Sequence, residues 1–488
     1  MEASLEKLDA TKPATPPLWT KGFIALLITQ FMVALNDNIF RWLIIPIGKW
    51  AIGWTDKVDE IRMIGSLAFV LPFMLLVSYA GYASDRYNRR YVIIWCKVAE
   101  VVIMLIGTAA ILSKSVPFML ITLFLMASQS AFFSPAKYGS LPNLVPEERI
   151  SEANGFISMT TMIACMGGTG IGGILFALTT LNHEAPTPGE GGMYRWWIWA
   201  GTIIGIAVIG LISSLFIPSI KPADPNAKFP INPFEQTCKD LSFLFQHRFL
   251  FWVAILSAYL WGLGALAQVN IDKYATEYLH VSQEYVAVLI VCLSLGLALG
   301  SLLAGRLSRG KIELGLVPIG ALFIALFCIL LYFTPEVTVP SNESAIMLNT
   351  DSTILEETVN SASTAQIIEV ASPFTTGFIF GAIGLFLLGI SGGLYDVPLL
   401  ATLQMKSPPE FRCRIIAAYN FCSFAAMAIC SVLQGLLAAP PFPTVDGQKI
   451  GLSATQIWLF CGVVSVPIFI YTFQSFPLQF KKAVKGEN

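Results

Sequence analysis

Residues 63–112 read MIGSLAFVLPFMLLVSYAGYASDRYNRRYVIIWCKVAEVVIMLIGTAAIL. Two apolar runs, Met63–Tyr82 and Val92–Leu112, flank a turn that carries Asp85, Arg86, Arg89 and Arg90. A hydrocarbon core about 30 Å thick takes about 20 apolar residues in helical form, because a helix satisfies every backbone polar group within its own segment. The stretch therefore reads as two membrane-spanning helices joined by a charged turn. Comparable runs recur at Phe23–Ile47, Phe118–Phe133, Phe156–Leu178, Trp196–Ile217, Leu250–Ala267, Val286–Leu303, Leu316–Phe333, Phe374–Tyr395, Ile415–Leu437 and Ile457–Phe476. The expectation is an all-α polytopic membrane protein with twelve transmembrane helices.

Composition agrees. Apolar residues make up 55% of the 488 and charged residues only 12%, against about 25% charged in a soluble domain. Mean hydropathy is +0.68. A net charge of −1 without any long basic run excludes a nucleic-acid binder. The nine cysteines form no Cys-x-x-Cys, and His183, His247 and His280 are too scattered to make a ligand set, so neither a metal nor any other cofactor is expected.

Lys and Arg fix the orientation, since positive charge accumulates on the cytoplasmic side. With the N-terminus inside, the cytoplasmic segments hold 21 of these residues and the external ones 7, with Arg41 and Lys97 inside spans. Both termini are thus expected in the cytoplasm. The chain divides into a tail, 1–20, a first six-helix half, 21–217, a linker, 218–248, a second half, 249–476, and a tail, 477–488. The linker is basic and Pro-rich, then amphipathic around Phe234–Phe245, as for a helix lying on the membrane surface. The external segment 334–373 lacks Lys and Arg, is rich in Ser, Thr and Glu, and reads as a solvated insertion.

The halves repeat. Pro135 precedes Pro146-Glu147-x-Arg149 by 11 residues, and Pro398 precedes Pro409-Glu410-x-Arg412 by the same 11. The turn Gly81-x-x-x-Asp85-Arg86-x-x-Arg89-Arg90 has a weaker echo in Gly305-Arg306-x-x-Arg309-x-Lys311. Parallel six-helix repeats with a substrate site between them build one large class of secondary transporters.

That turn resembles the signature between spans two and three of the major facilitator superfamily, with Asn88 where a glycine is usual; Asn also tolerates a left-handed turn. Asn36-Asp37-Asn38, Ser134-Pro135-Ala136-Lys137-Tyr138-Gly139, Glu152-Ala153-Asn154-Gly155 and Gly264-Ala265-Leu266-x-Gln268 resemble the bacterial lysophospholipid transporter family. The resemblance implies the major facilitator fold and a place in a bacterial cytoplasmic (inner) membrane. It also implies a lysophospholipid substrate and a separate acyltransferase as partner, because no enzyme region follows span twelve. Where some members place a basic residue near Gln268, this chain has glutamine, which moves the expected phosphate contact to Arg41 or Lys97.

Charge inside an apolar span costs roughly 2.5–3.5 kcal/mol and persists when paired or facing a wet cavity. Gln30, Ala34, Asp37 and Arg41 share one face of span one, read as lining a central cavity; Asp37 and Arg41 at i and i+4 could equally pair. Lys97 and Glu100 stand at i and i+3 in span three, with Lys97 close enough to the surface to snorkel. Ser257, Trp261, Gly264 and Gln268, with Asn270 beside them, make a polar face in span seven, and Asn420, Ser423, Met427, Ser431 and Gln434 another in span eleven. These faces read as a solvated path or as helix–helix hydrogen bonding. By analogy with the superfamily, Gly81, Asp85, Arg86, Arg89 and Arg90 latch the cytoplasmic side. Pro135, Lys137, Tyr138, Gly139, Arg149 and Asn154 form a hinge or gate, with capping of span five as the plainer alternative. The glycines between Gly167 and Gly173 lie inside a span with no strand before them, so they read as helix packing and not as a phosphate loop. No nucleophile–base set is present, and no enzyme activity is expected. The residues leave a proton-coupled exporter of drugs or metabolites, or a membrane scaffold for an acyltransferase, open beside lysophospholipid transport.

Overall fold

The computed structural model describes residues 17–48, 58–180, 195–228, 230, 232–308, 312–335, 375–438 and 451–485. Most of the segment 334–373, both chain ends, His183, Arg309 and Lys311 lie outside these residues. The described residues form thirteen α-helices and no strand: α1 Lys21–Pro46, α2 Val58–Arg86, α3 Arg89–Leu112, α4 Val116–Leu144, α5 Ile150–Thr180, α6 Trp196–Ser214, α7 Pro233–Gln246, α8 Arg248–Lys273, α9 Gln283–Leu307, α10 Leu316–Tyr332, α11 Thr376–Lys406, α12 Arg412–Ala438 and α13 Ala454–Lys485. Eleven helices are long and apolar enough to cross a membrane; α10, with 17 residues, is the short apolar one, and α7 is the extra helix of the linker.

Local chemistry sets the ends. Thr20 accepts the Phe23 amide at 3.1 Å to start α1, and Ser115 accepts that of Phe118 at 3.4 Å to start α4. Asn88 takes an extended conformation, φ −60°, and its Oδ1 caps α3 through the Arg90 amide at 3.1 Å. The left-handed turn expected at Asn88 is thus replaced by an N-cap, which asparagine serves at least as well. A short 3₁₀ turn introduces α5 at Glu147–Arg149 and another introduces α12 at Pro409–Phe411, at the repeated Pro-Glu positions.

Helix α4 runs eleven residues past Phe133, so the Pro135–Gly139 motif read as lying after a span is helical and largely buried. Its prolines, Pro135 and Pro142, sit inside the helix. Likewise Pro398 lies inside α11.

The chain folds as two compact units. One comprises 1–257, 301–314 and 396–424; the other comprises 258–300, 315–395 and 425–488. In the first, α1 packs on α5, α6 and α4, α2 and α3 pack on α4, α3 packs on α6, and α7 lies on α2. Its cores gather Phe40, Leu43, Met104, Met119 and Ile203 in one cluster and Phe23, Leu26, Ile150 and Ile217 in another. Exposed apolar stripes such as Trp95, Val102 and Leu105 on α3 are the faces a bilayer covers. In the second unit α10 packs along α13. There a Cβ on Gly296 would fall 2.0 Å from the Phe386 carbonyl oxygen and one on Gly300 2.2 Å from that of Ile390, so glycine lets α9 and α11 touch backbone to backbone. Gly168 does the same between α5 and α1, where a Cβ would lie 2.7 Å from the Leu35 carbonyl oxygen.

Candidate functional site

Within the first unit, polar groups collect at two levels. The inner level lies along the middle of α1. Asp37 is buried, and its Oδ2 accepts the Ser130 hydroxyl of α4 at 2.7 Å, while its Oδ1 has no hydrogen-bond partner. Asn36 donates to Glu100 Oε1 at 3.2 Å, and its own Oδ1 is likewise unmet. Glu100 pairs directly with Lys97, both fully buried. Lys97 therefore does not snorkel; Gly210 of α6 vacates the space for its ammonium, since a Cβ there would lie 2.5 Å from Nζ. Asn38 turns back to the Ala34 carbonyl at 2.7 Å and reaches Cys165 Sγ at 3.3 Å.

The pairing of Asp37 with Arg41 is not formed. Arg41 is exposed, with its guanidinium 5.1 Å from the centre of the Phe69 ring. Gln30, read as lining the same face, is buried against α5, bonding Thr160 Oγ1 at 2.7 Å and Thr161 Oγ1 at 3.0 Å. One helical face thus serves helix contact at Gln30, a partly satisfied carboxylate at Asp37 and an open cation at Arg41.

The outer level lies at the Arg-rich end. Asp85 is fully buried at the end of α2. Its Oδ1 accepts the Cys413 amide and its Oδ2 the Arg414 amide, each at 3.1 Å, capping α12. Arg89 bonds Asp85 at 3.3 Å, the Gly139 carbonyl at 2.9 Å and Asn143 Oδ1 at 3.1 Å, tying α3 to α2 and α4. Arg86 donates to Tyr82 and, at 2.8 Å, to the Ala227 carbonyl, and Arg90 donates to the Leu215 carbonyl at 2.8 Å. Gly81 and Gly139 are the close-approach points. A Cβ on Gly81 would meet Arg414 Cα at 2.9 Å, and one on Gly139 would meet Cys413 Sγ at 2.4 Å. Arg414 also bonds Asp224 of the linker at 3.2 Å.

Of the residues read as a hinge, Asn154 exchanges two hydrogen bonds with Gln404 of α11, at 2.7 and 3.1 Å. Arg149, in the 3₁₀ turn, pairs with Glu152 in the first turn of α5 at 2.7 Å, both partly exposed. Lys137 is buried, 4.2 Å from the Tyr138 ring centroid and 5.8 Å from that of Phe133, with no carboxylate partner among the described residues. Asn420 donates to Ser134 at 3.0 Å, just before Pro135. On α7, Asp240 is buried beside Asp85 and Arg414, and burial pushes its carboxyl up to about 7.

Asp396, Gln404, Asn143, Gln129 and Asp224 were not singled out by sequence. Asp396 accepts the Ser257 hydroxyl at 2.9 Å, which fixes Ser257 in packing. Asp396 falls one residue past the apolar run Phe374–Tyr395, so the signal that picked out Asp37 passed it over, although α11 continues to Lys406. In the second unit, Asn270 donates to the Ala454 carbonyl at 2.9 Å, Trp261 is half-buried, and Gly264 and Gln268 are exposed. All nine cysteines are free, and among the described residues no group of His, Cys, Asp and Glu is placed to hold a metal ion.

A buried carboxylate with one free oxygen and a capped charge cluster at one end suit a protein that binds a polar group inside the membrane and changes shape around it. The comparisons with known proteins agree. Lysophospholipid transporter LplT of Photorhabdus laumondii subsp. laumondii is 24% identical over 460 residues, covering 91% of this chain and 96% of its own. The protein of the same name from Escherichia fergusonii is 22% identical over 455 residues, with the same coverage. Among solved structures, the transporter FucP in its outward conformation superposes with a TM-score of 0.64 at 13% identity, covering 92% of this chain and 97% of FucP. The human organic anion transporter MFSD10 gives 0.65 at 13%, covering 94% and 100%. The family model described as Major Facilitator Superfamily matches residues 26–386, and the chain belongs to that superfamily.

Proposed function

We propose that this protein is a secondary transporter that moves lysophospholipid across a bacterial cytoplasmic membrane by alternating access. The observation that carries the reading is Asp37. A buried carboxylate oxygen without a partner is costly, and Asp37 Oδ1 is such an atom in a chain whose curated relatives are named lysophospholipid transporters. An amphiphile with a cationic or hydroxyl-bearing headgroup would satisfy that oxygen. Arg41 and Lys137, which have no carboxylate partner among the described residues, are the cations offered to its phosphate.

In this reading both termini are cytoplasmic, and 21–217 and 249–476 are the two rocking halves. The cluster of Gly81, Asp85, Arg86, Arg89 and Arg90 then latches the cytoplasmic side. Release of a capped helix by about 1–3 kcal/mol is enough to bias such an equilibrium. Asn154 with Gln404 and Lys137–Gly139 are parts of the same gate. A separate acyltransferase would reacylate the delivered lipid inside.

Uptake of radiolabelled lysophosphatidylethanolamine by spheroplasts tests the proposal. Asp37→Asn is expected to abolish uptake while the folded protein elutes normally in detergent; normal uptake by that variant refutes the headgroup role. A proton flux in liposomes that follows a soluble cation and not lysolipid would point to an exporter instead. Capture of an acyltransferase without any lipid movement would point to a scaffold.

A further inference from the structure

The repeat between the halves exposes an arginine that has lost its partner. Arg149 in Pro146-Glu147-x-Arg149 and Arg412 in Pro409-Glu410-x-Arg412 hold the same place, each at the 3₁₀ turn that introduces a long apolar helix. Three residues on, the first half has Glu152 and the second has Ile415. Arg149 pairs with Glu152, and its side chain is 31% exposed. Arg412 is only 9% exposed; its Nε has no hydrogen-bond partner, and no carboxylate pairs with it among the described residues. Ile415, where the acid would stand, is buried.

The groups around Arg412 do not make up for the loss. Of the titratable side chains near it, Arg89 bears on it most strongly, and that is a second cation; Cys413, Asp85 and Glu410 bear on it less. Asp85 is already committed, accepting the Cys413 and Arg414 amides and pairing with Arg89 at 3.3 Å. Arg89 in turn is bonded to Ser84, Gly139, Asn143 and Asp85. A buried guanidinium beside a like charge, with no anion of its own, is strongly unfavourable.

We propose that Arg412 binds a phosphate group, with Arg89 beside it adding to the positive field. A guanidinium presents paired N–H donors that match two phosphate oxygens. Arg412 opens α12, a helix long and apolar enough to cross a membrane, so it stands at the depth of lipid headgroups. Phosphate is the anion concentrated at that depth, and basic sites between membrane helices bind such headgroups. A free phosphate ion offers the same chemistry from the water side; the lipid is the expected source, because its chains hold the phosphate at the level of Arg412. The site is separate from Asp37 and does not depend on which molecule the protein carries.

The test uses the full-length protein, stripped of lipid in dodecyl maltoside at constant ionic strength. Its melting temperature is read against added dioctanoyl phosphatidylglycerol, dioctanoylglycerol (which lacks the phosphate) or inorganic phosphate. A saturable rise with phosphatidylglycerol and none with dioctanoylglycerol is expected. Arg412→Gln should raise the half-saturating concentration about 10- to 100-fold, as for lost hydrogen bonds to a charged group. Arg306→Gln, which removes an exposed charge of the same sign, should leave it unchanged. Without added anion, Arg412→Gln should melt no lower than the unchanged protein, because it loses a charge that has no partner. Inorganic phosphate that saturates as readily as the lipid, with the same loss in Arg412→Gln, upholds the phosphate site and assigns it to the free ion. Equal responses of Arg412→Gln and Arg306→Gln overturn the proposal, as does the lack of a rise with either phosphate compound. A lower melting temperature of Arg412→Gln without anion also overturns it, since the guanidinium would then have a partner inside the protein.

Discussion

Asp85 and Cys413 stand 328 positions apart and meet at 3.1 Å, the carboxylate of one accepting the backbone amide of the other. With the Arg414 amide on its second oxygen, Asp85 satisfies two of the four N–H groups that the first turn of α12 would leave open, and it sets a negative charge on the positive end of that helix. Loss of an N-cap costs about 1–2 kcal/mol, a factor of about 5–30 in an equilibrium. Cys413 is fully buried at this contact and reports on it. In a variant with Cys413 as its sole cysteine, Asp85→Ala is expected to speed maleimide labelling about 5- to 30-fold. An unchanged rate would mean that the cap does not hold α12.

The same joint is tested from the steric side at Gly81. A Cβ there would stand 2.8 Å from Ala417 Cβ and 2.9 Å from Arg414 Cα, and backbone cannot step aside as a side chain can. Gly81→Ala should therefore pry α12 from α2 with Asp85 intact, at about 1–3 kcal/mol, and raise Cys413 labelling as the cap variant does. Gly65→Ala is the control. The nearest atoms to its Cβ are leucine methyls at 3.8 and 3.9 Å, and labelling should not change.

The spans were legible because a bilayer dictates their length, and the Asp85 turn because a carboxylate among arginines has no topological use. What the sequence hid depends on other helices. The Pro135–Gly139 motif reads as a loop because apolarity stops at Phe133, yet α4 continues inside the protein, where neighbouring helices bury its polar residues. Asp37 and Arg41 look paired because spacing along one helix reveals only partners on that helix. The actual partner of Asp37, Ser130, comes from α4. Gln129 has no second polar residue three or four positions away in its apolar run to mark a face, and Gln404 lies past the run that ends at Tyr395, in the part of α11 that continues to Lys406.

Lys97 and Glu100 are a buried pair whose removal should be strongly asymmetric. Taking away one partner strands the other charge, at about 3–5 kcal/mol, whereas replacing both is close to neutral. Lys97→Met and Glu100→Gln should each lower the melting temperature in detergent, and the double variant should recover most of the loss. Glu100→Gln also keeps an amide oxygen for Asn36, which donates to Glu100 Oε1 at 3.2 Å, so it should be the milder single change. Additive losses in the double variant would show that the two charges do not depend on each other.

Docking of α7 should depend on pH through Asp240. Burial raises its carboxyl from 3.8 to about 7; Gln236, which donates at 2.8 Å, and Arg414 pull it down, while Asp85 pushes it up. Because the docked value lies above the free one, the protonated form favours docking. That contribution is complete below about pH 4 and lost as pH rises to about 7. Two other attachments carry no titratable group: Thr237 meets Ser78 at 2.6 Å, and Phe243 lies 5.8 Å from the Phe411 ring centroid. The His247 ring stacks on Phe243 at 4.1 Å, so the comparison is made in a His247→Gln background. The Glu235–Lys239 pair is exposed on both sides and adds little. Amide exchange over residues 233–246, corrected for intrinsic rate, is expected to be faster at pH 8 than at pH 5, and Asp240→Asn should make it slow and equal at both. Faster exchange at pH 5, or a variant that keeps the full pH response, would rule out Asp240 as the group that sets it.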